Sequence, residues 1–90
     1  MENQDFQHIM EVELIKQLRQ RNIRAFVCFY QLYSDDIFEL VSNEIADRGK
    51  AQDLIDQLFG NLWIFSKFNA MKTPIFDYLE VEVRRLYHMV

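Results

Sequence analysis

Apolar residues recur at intervals of three and four along almost the whole chain, the spacing that lines one face of an α-helix. Met10, Leu14, Ile15 and Leu18 form a short stripe that predicts a helix over roughly 6–20. Asn22 is a residue type that caps helix starts. After it, Phe26, Phe29, Tyr30, Tyr33, Ile37, Leu40, Val41 and Ile45 repeat with little drift, which predicts one long helix over roughly 22–46. Asp47-Arg48-Gly49 reads as its stop, with Gly49 as a C-cap or turn residue. The cleanest stripe is Ala51, Leu54, Ile55, Leu58, Phe59, Leu62 and Trp63, which predicts a third helix over roughly 50–65. Lys67–Thr73 reads as a polar loop. Thr73-Pro74 has the form of an N-cap followed by proline at the first helical position, and Ile75, Leu79, Val83 and Leu86 continue a helix over roughly 74–88. The expectation is an all-α fold, a compact bundle of about four helices forming a single domain over 1–90, with no repeat, linker or low-complexity segment.

Composition supports a packed core. Half of the 90 residues are hydrophobic and 14% are aromatic, too apolar for a disordered chain. With 2 Gly and 1 Pro the chain is poor in the turn residues that sandwiches and barrels need. The one cysteine, Cys28, excludes an internal disulfide and a multi-cysteine zinc site, and fits a reducing, cytoplasmic setting. No apolar run is long enough to span a membrane, so no membrane association is expected.

The net charge of −4 excludes a globally basic nucleic-acid binder, but the charge is unevenly placed. Lys16, Arg19, Arg21 and Arg24 occupy 14–24 without an acid. Asp35, Asp36, Glu39, Glu44, Asp47, Asp53 and Asp56 dominate 35–56 against Arg48 and Lys50. In 64–90, four cations (Lys67, Lys72, Arg84, Arg85) oppose three acids (Asp77, Glu80, Glu82), a net of +1. Such a distribution ordinarily marks solvated helix faces.

No enzyme reading emerges from the residues. His8 and His88 lie at opposite ends of the chain, with no paired-histidine metal motif and no glycine-rich phosphate loop. Cys28, flanked by Phe26, Val27, Phe29 and Tyr30, reads as a small buried core residue rather than a nucleophile. Asp53 and Asp56 share a helix face but lack a partner for acid–base or metal chemistry. No catalytic residue, cofactor or metal is expected.

The segment Asp47-Arg48-Gly49-Lys50-Ala51-Gln52-Asp53-Leu54-Ile55-Asp56-Gln57-Leu58-Phe59-Gly60-Asn61-Leu62-Trp63 resembles region 2 of bacterial sigma-70-superfamily factors, closest to the extracytoplasmic-function (ECF) group. The family form runs Asp-x-x-x-Ala-Glu-Asp-Leu-Val-Gln-Glu-Val-Phe-x-x-Leu-Trp. Asp47, Ala51, Asp53, Leu54, Phe59, Leu62 and Trp63 match it, and Ile55 and Leu58 match conservatively. Upstream, Ala25-Phe26, Phe29-Tyr30 and Tyr33 are similar to the family's Ala-Phe-x-x-Leu-Tyr-x-x-Tyr. Downstream, Pro74-Ile75-Phe76-Asp77-Tyr78-Leu79 is similar to its Pro-Phe-x-x-Trp-Leu.

The resemblance implies a domain that binds core RNA polymerase and recognises the promoter −10 element in transcription initiation. The third helix would offer its polar face to the coiled coil of the β′ clamp, placing polymerase contact on Asp53, Asp56, Gln57 and Asn61. The following loop and last helix would capture a flipped base of the non-template strand, placing DNA contact on Lys67, Phe68, Asn69, Lys72, Tyr78, Arg84 and Arg85. An exposed Phe68 would stack that base; the other reading of Phe68 is a ring that pins the loop to the core. The family's second domain, region 4, has no counterpart in the 90 residues, and the helical pattern running to the end suggests an excised domain. An anti-sigma factor is a further partner of such proteins.

Two departures carry a second expectation. Glu80 and Glu82 fall where the family often has aromatic, basic or Asn residues, and a carboxylate opposite a phosphate strand is repulsive. Gly60 stands mid-helix where a larger residue is common, and reads either as a weakened helix or as a place of close approach by a partner helix. Glu80, Glu82 and the acidic balance motivate the alternative, a sigma-like interaction module, a decoy or anti-sigma partner without promoter melting. A structural helical oligomerisation domain is the third reading.

Overall fold

The computed structural model describes residues 2–88. The chain folds into four α-helices and one 3₁₀ turn: α1 Glu2–Arg19, α2 Ile23–Glu44, α3 Arg48–Ile64, the 3₁₀ turn Lys67–Ala70 and α4 Ile75–His88. No strand occurs among the described residues. The bundle is all-α with four helices, as the periodicity predicts. The apolar stripe of α3 is the centre of the structure: Ala51, Leu54, Ile55, Leu58, Phe59 and Leu62 are all buried. They share one continuous core with Phe29, Ile37 and Val41 of α2, Ile75, Leu79 and Val83 of α4, and Ile15 and Leu18 of α1. Phe29 is its aromatic hub, with ring centroids 5.1 Å from Phe59, 5.7 Å from Tyr33 and 6.2 Å from Phe68.

The helix starts follow capping chemistry. The Asn22 side chain accepts from the N–H groups of Arg24 and Ala25 at 3.0 and 3.2 Å, as expected. Asp47-Arg48-Gly49 is not the stop of α2, which ends earlier, at Glu44. Instead Asp47 caps α3, accepting from Lys50 N–H at 3.1 Å, and Gly49 lies inside the first turn of α3. A side chain at Gly49 would come within 3.3 Å of the capping Asp47 carboxylate, so glycine there leaves room for the cap.

The start of α4 departs further from expectation. Thr73 makes no capping hydrogen bond to α4. The first N–H of the helix, Ile75, donates across the bundle to Glu11 Oε1 of α1 at 3.0 Å. Glu11 is 4% exposed, and its other oxygen accepts from the Tyr33 hydroxyl of α2 at 3.0 Å and from Gln7 Nε2 at 3.4 Å. One buried carboxylate thus joins α1, α2 and α4, and its charge lies at the positive end of the α4 dipole. The stripe of α1 runs through Glu11, Leu14, Ile15 and Leu18, while Met10, expected inside, is exposed.

The segment after α3 is not a plain polar loop. Phe68 and Met71 are each 1% exposed, filling the core beneath the 3₁₀ turn. Arg19 at the end of α1 holds that turn from outside. Its Nε donates to the Phe68 carbonyl at 3.1 Å and its Nη2 to the carbonyls of Asn69 and Met71, each at 3.3 Å. Arg21 and Ser66, with φ of 61° and 52°, are both left-handed non-glycine residues, an arrangement costing about 1 kcal/mol or more each. They face one another: the Arg21 guanidinium lies 4.0 Å above the Trp63 ring, and donates to Ser66 Oγ at 3.0 Å and to the Trp63 carbonyl.

Candidate functional site

The helix α3 buries its stripe and turns its remaining side chains outward. Asp53, Asp56 and Gln57 are exposed, and Asn61 is half-buried. Asp53 and Gln57 are one turn apart on the outward face, and Ile64, at 68% exposure, extends it by two further turns. Asp56 accepts from Gln52 Nε2 at 2.9 Å, a solvent-facing contact along the same helix. Asn61 is turned from that face toward α4. With Leu58, Leu62, Lys67, Glu82 and Leu86 it lines a depression of about 40 Å³. That is room for a water or two and not for an unstacked base.

The residues expected to meet DNA divide into three groups. Lys67, Asn69 and Lys72 are exposed around the 3₁₀ turn. Phe68 is not available for stacking: its ring is packed 6.2 Å from Phe29 and 6.4 Å from both Phe26 and Trp63. A lone aromatic in a polar stretch has no periodicity to reveal which way it turns, and here the core needs a large side chain under the corner between α3 and α4. The exposed aromatic of the corner is Phe65, at 63% exposure, the residue that ends α3, with the Lys67 ammonium 5.8 Å from its ring. Ile64 falls off the α3 stripe, the available sign of an exposed apolar group, whereas Phe65, three residues after Leu62, is in phase with it and is exposed where the helix ends.

The third group is on α4, where the cations are partnered by carboxylates of the same chain. Arg84 meets Glu44 of α2 at 2.8 Å and Glu80 at 3.1 Å, and Arg85 meets Glu82 at 3.3 Å. Tyr87 donates its hydroxyl to Glu44, closing a network between the end of α2 and the end of α4. That hydroxyl, and then the Arg84 charge, hold the Glu44 carboxyl below the usual range. Tyr78 is half-buried, and burial, then the neighbouring Glu82, push its phenol above the ordinary value. Of the basic run at 14–24, Arg19 and Arg21 are tied to the 3₁₀ turn and to the α3 corner, while Lys16 and Arg24 are exposed.

Cys28 is exposed on α2, not buried as its aromatic neighbours suggested. The run Phe26–Tyr30 wraps around the helix, and Val27 and Cys28 fall on its solvent side. Among the described residues no group of three or more His, Cys, Asp or Glu side chains could hold a metal ion, and no helix is long and apolar enough to cross a membrane.

The geometry therefore offers two surfaces: the outward face of α3, and the corner of Phe65, Lys67, Asn69 and Lys72. No protein-family model, curated protein or solved structure matches the chain.

Proposed function

We propose that this chain is a sigma region 2-like domain that docks on the β′ clamp coiled coil of RNA polymerase through α3. The observation that carries the reading is the division of α3. Its apolar stripe from Ala51 to Leu62 is buried in the domain while Asp53, Asp56 and Gln57, at the places the family motif assigns to the partner, face outward. Residues that support the fold and residues free to bind are then separate sets. In this reading the corner beside α3 meets the non-template strand of the −10 element. Phe65 takes the stacking role, Lys67 and Lys72 meet phosphates, and Asn69 reads a base edge. Such a role places the protein with the cytoplasmic transcription machinery.

The test is binding to a β′ clamp-helix fragment by calorimetry. The reading expects a complex that Asp53→Arg with Gln57→Ala weakens while the far-ultraviolet circular dichroism stays unchanged. Absence of any complex at high protein concentration removes the docking role.

The ion pairs of Arg84 and Arg85 favour a second reading of the DNA half. A sigma-like interaction module, such as a decoy or anti-sigma partner, needs no cations for a strand, and α4 has its two arginines already matched by Glu44, Glu80 and Glu82. Affinity for −10-like single-stranded DNA, measured with and without polymerase, separates the two. The promoter reading expects salt-sensitive binding that Phe65→Ala and Lys67→Ala reduce. The module reading expects none.

A further inference from the structure

We infer that α3 is built for the close backbone approach of one partner helix, crossing at Gly60. The inference rests on the docking reading above and goes beyond it in naming the contact point and the chemistry of the occupant. Nothing within the domain explains this glycine. Its φ is not positive, and a Cβ built there would have no neighbouring atom within 4 Å. Glycine in a helix interior lowers stability relative to alanine, so the fold alone would be better served by almost any other residue. What the missing side chain provides lies outside: a low point on the helix surface, where another helix can come nearer than the usual axis separation of about 8–10 Å.

The surroundings define what fits. Asp56 lies one turn before Gly60, Asp53 two turns before, and Ile64 one turn after. Ile64 is 68% exposed, a large apolar group with no place in the core. The Phe26–Trp63 contact, with ring centroids 4.9 Å apart, brings the first turns of α2 to the same end of α3. There Ile23 and Val27 add two more apolar groups at 55% and 49% exposure. Residues 51–64 contain no lysine or arginine, so the only formal charges of this stretch are Asp53 and Asp56, with the nearby Arg21 guanidinium held over the Trp63 ring at its end. The complementary occupant is an amphipathic helix with a small residue at the crossing, an apolar side toward Ile64, and lysine or arginine within reach of the two aspartates.

Gly60→Ala separates fold from docking because the two respond in opposite directions. The variant is expected to melt at a higher temperature than the parent, and to bind the β′ clamp-helix fragment about tenfold more weakly. Gly60→Leu should weaken binding further, and Asp56→Arg should weaken it in a manner that rising salt mutes. Gln31→Ala, at an exposed position on α2, serves as a control close to the parent. If the parent binds and Gly60→Ala binds equally well, the close approach is refuted while the docking role stands. If the parent itself does not bind, both are refuted.

Discussion

Glu11 carries more of this fold than its size suggests, and its replacement by alanine gives a sharp test. The substitution removes the acceptor for two groups that the bundle buries or half-buries, the Ile75 N–H and the Tyr33 hydroxyl, each at 3.0 Å from the carboxylate. Hydrogen bonds to a charged group contribute about 1.5–3 kcal/mol, and a buried donor left without a partner costs about 1–3 kcal/mol. Removing a favourable charge from the N-terminus of α4 adds a few tenths to about 1 kcal/mol. The expected loss is about 3–5 kcal/mol, a large part of the roughly 5–15 kcal/mol that stabilises an ordinary domain. For a chain of this length that corresponds to a fall in Tm of about 12–40 °C. Urea denaturation followed by circular dichroism measures it. Glu11→Gln, which keeps one acceptor oxygen, should lose less. Tyr33→Phe removes donor and unmet need together, so it should cost about 1 kcal/mol. The double variant Glu11→Ala with Tyr33→Phe should then be less destabilised than the sum of the two single changes. A loss under about 1 kcal/mol in Glu11→Ala, or strict additivity in the double variant, refutes the three-helix tie.

Four further outcomes are expected. Arg19→Ala leaves three carbonyls of the 3₁₀ turn without their guanidinium donor and should cost about 1.5–3 kcal/mol by denaturant melts, with Arg19→Lys recovering little because an ammonium cannot reproduce the fork. Tyr33 has its phenol pushed up by burial and then by the Glu11 hydrogen bond, and Tyr78 and Tyr87 are raised as well. Raised folded values mean stability fully present below the ordinary phenol value of 10.0 and lost as pH climbs above it, so Tm should fall between about pH 10 and 12, less so in Tyr33→Phe. Glu44 is shifted the other way, so its contribution is present above the ordinary value of 4.5 and is lost as pH falls through the lower folded value; Glu44→Gln should flatten the acid limb of the Tm profile. Cys28, being exposed, should react with a thiol reagent in the native protein without prior unfolding, and slow labelling at the rate of global opening would contradict its placement.

The residues that made the fold legible are those whose burial follows local periodicity. Ala51, Leu54, Ile55, Leu58 and Leu62 announce α3 because its one apolar face meets three neighbours at once. Asn22 announces the start of α2 because capping is a contact within a few residues. What was not legible depends on contacts between distant parts of the chain. Glu11 reads as one more surface acid in α1, and only the arrival of Ile75, 64 residues later, makes it an interior cap. Phe68, an aromatic in a polar stretch, can be read as exposed or as pinned to the core, because the space it fills is formed by Phe26, Phe29 and Trp63 from two other helices. The candidate site shows the same divide. The outward face of α3 follows from its stripe, whereas the exchange of Phe65 for Phe68 and the pairing of Arg84 with Glu44 depend on how α3 ends and where α4 lands.

The burial of Phe68 has a consequence for the kinetics of any contact at that corner. With Phe68 and Met71 anchored inside and Arg19 gripping the carbonyls from outside, Phe65, Lys67 and Asn69 are displayed on backbone already fixed in place. A ligand arriving there finds no loop to order, so recognition proceeds as a single bimolecular step whose rate follows encounter rather than rearrangement. Loosening the anchor, as Phe68→Ala would, converts the same surface into one that must close after arrival. A substitution that touches no ligand would then appear as a slow, concentration-independent phase in stopped-flow traces.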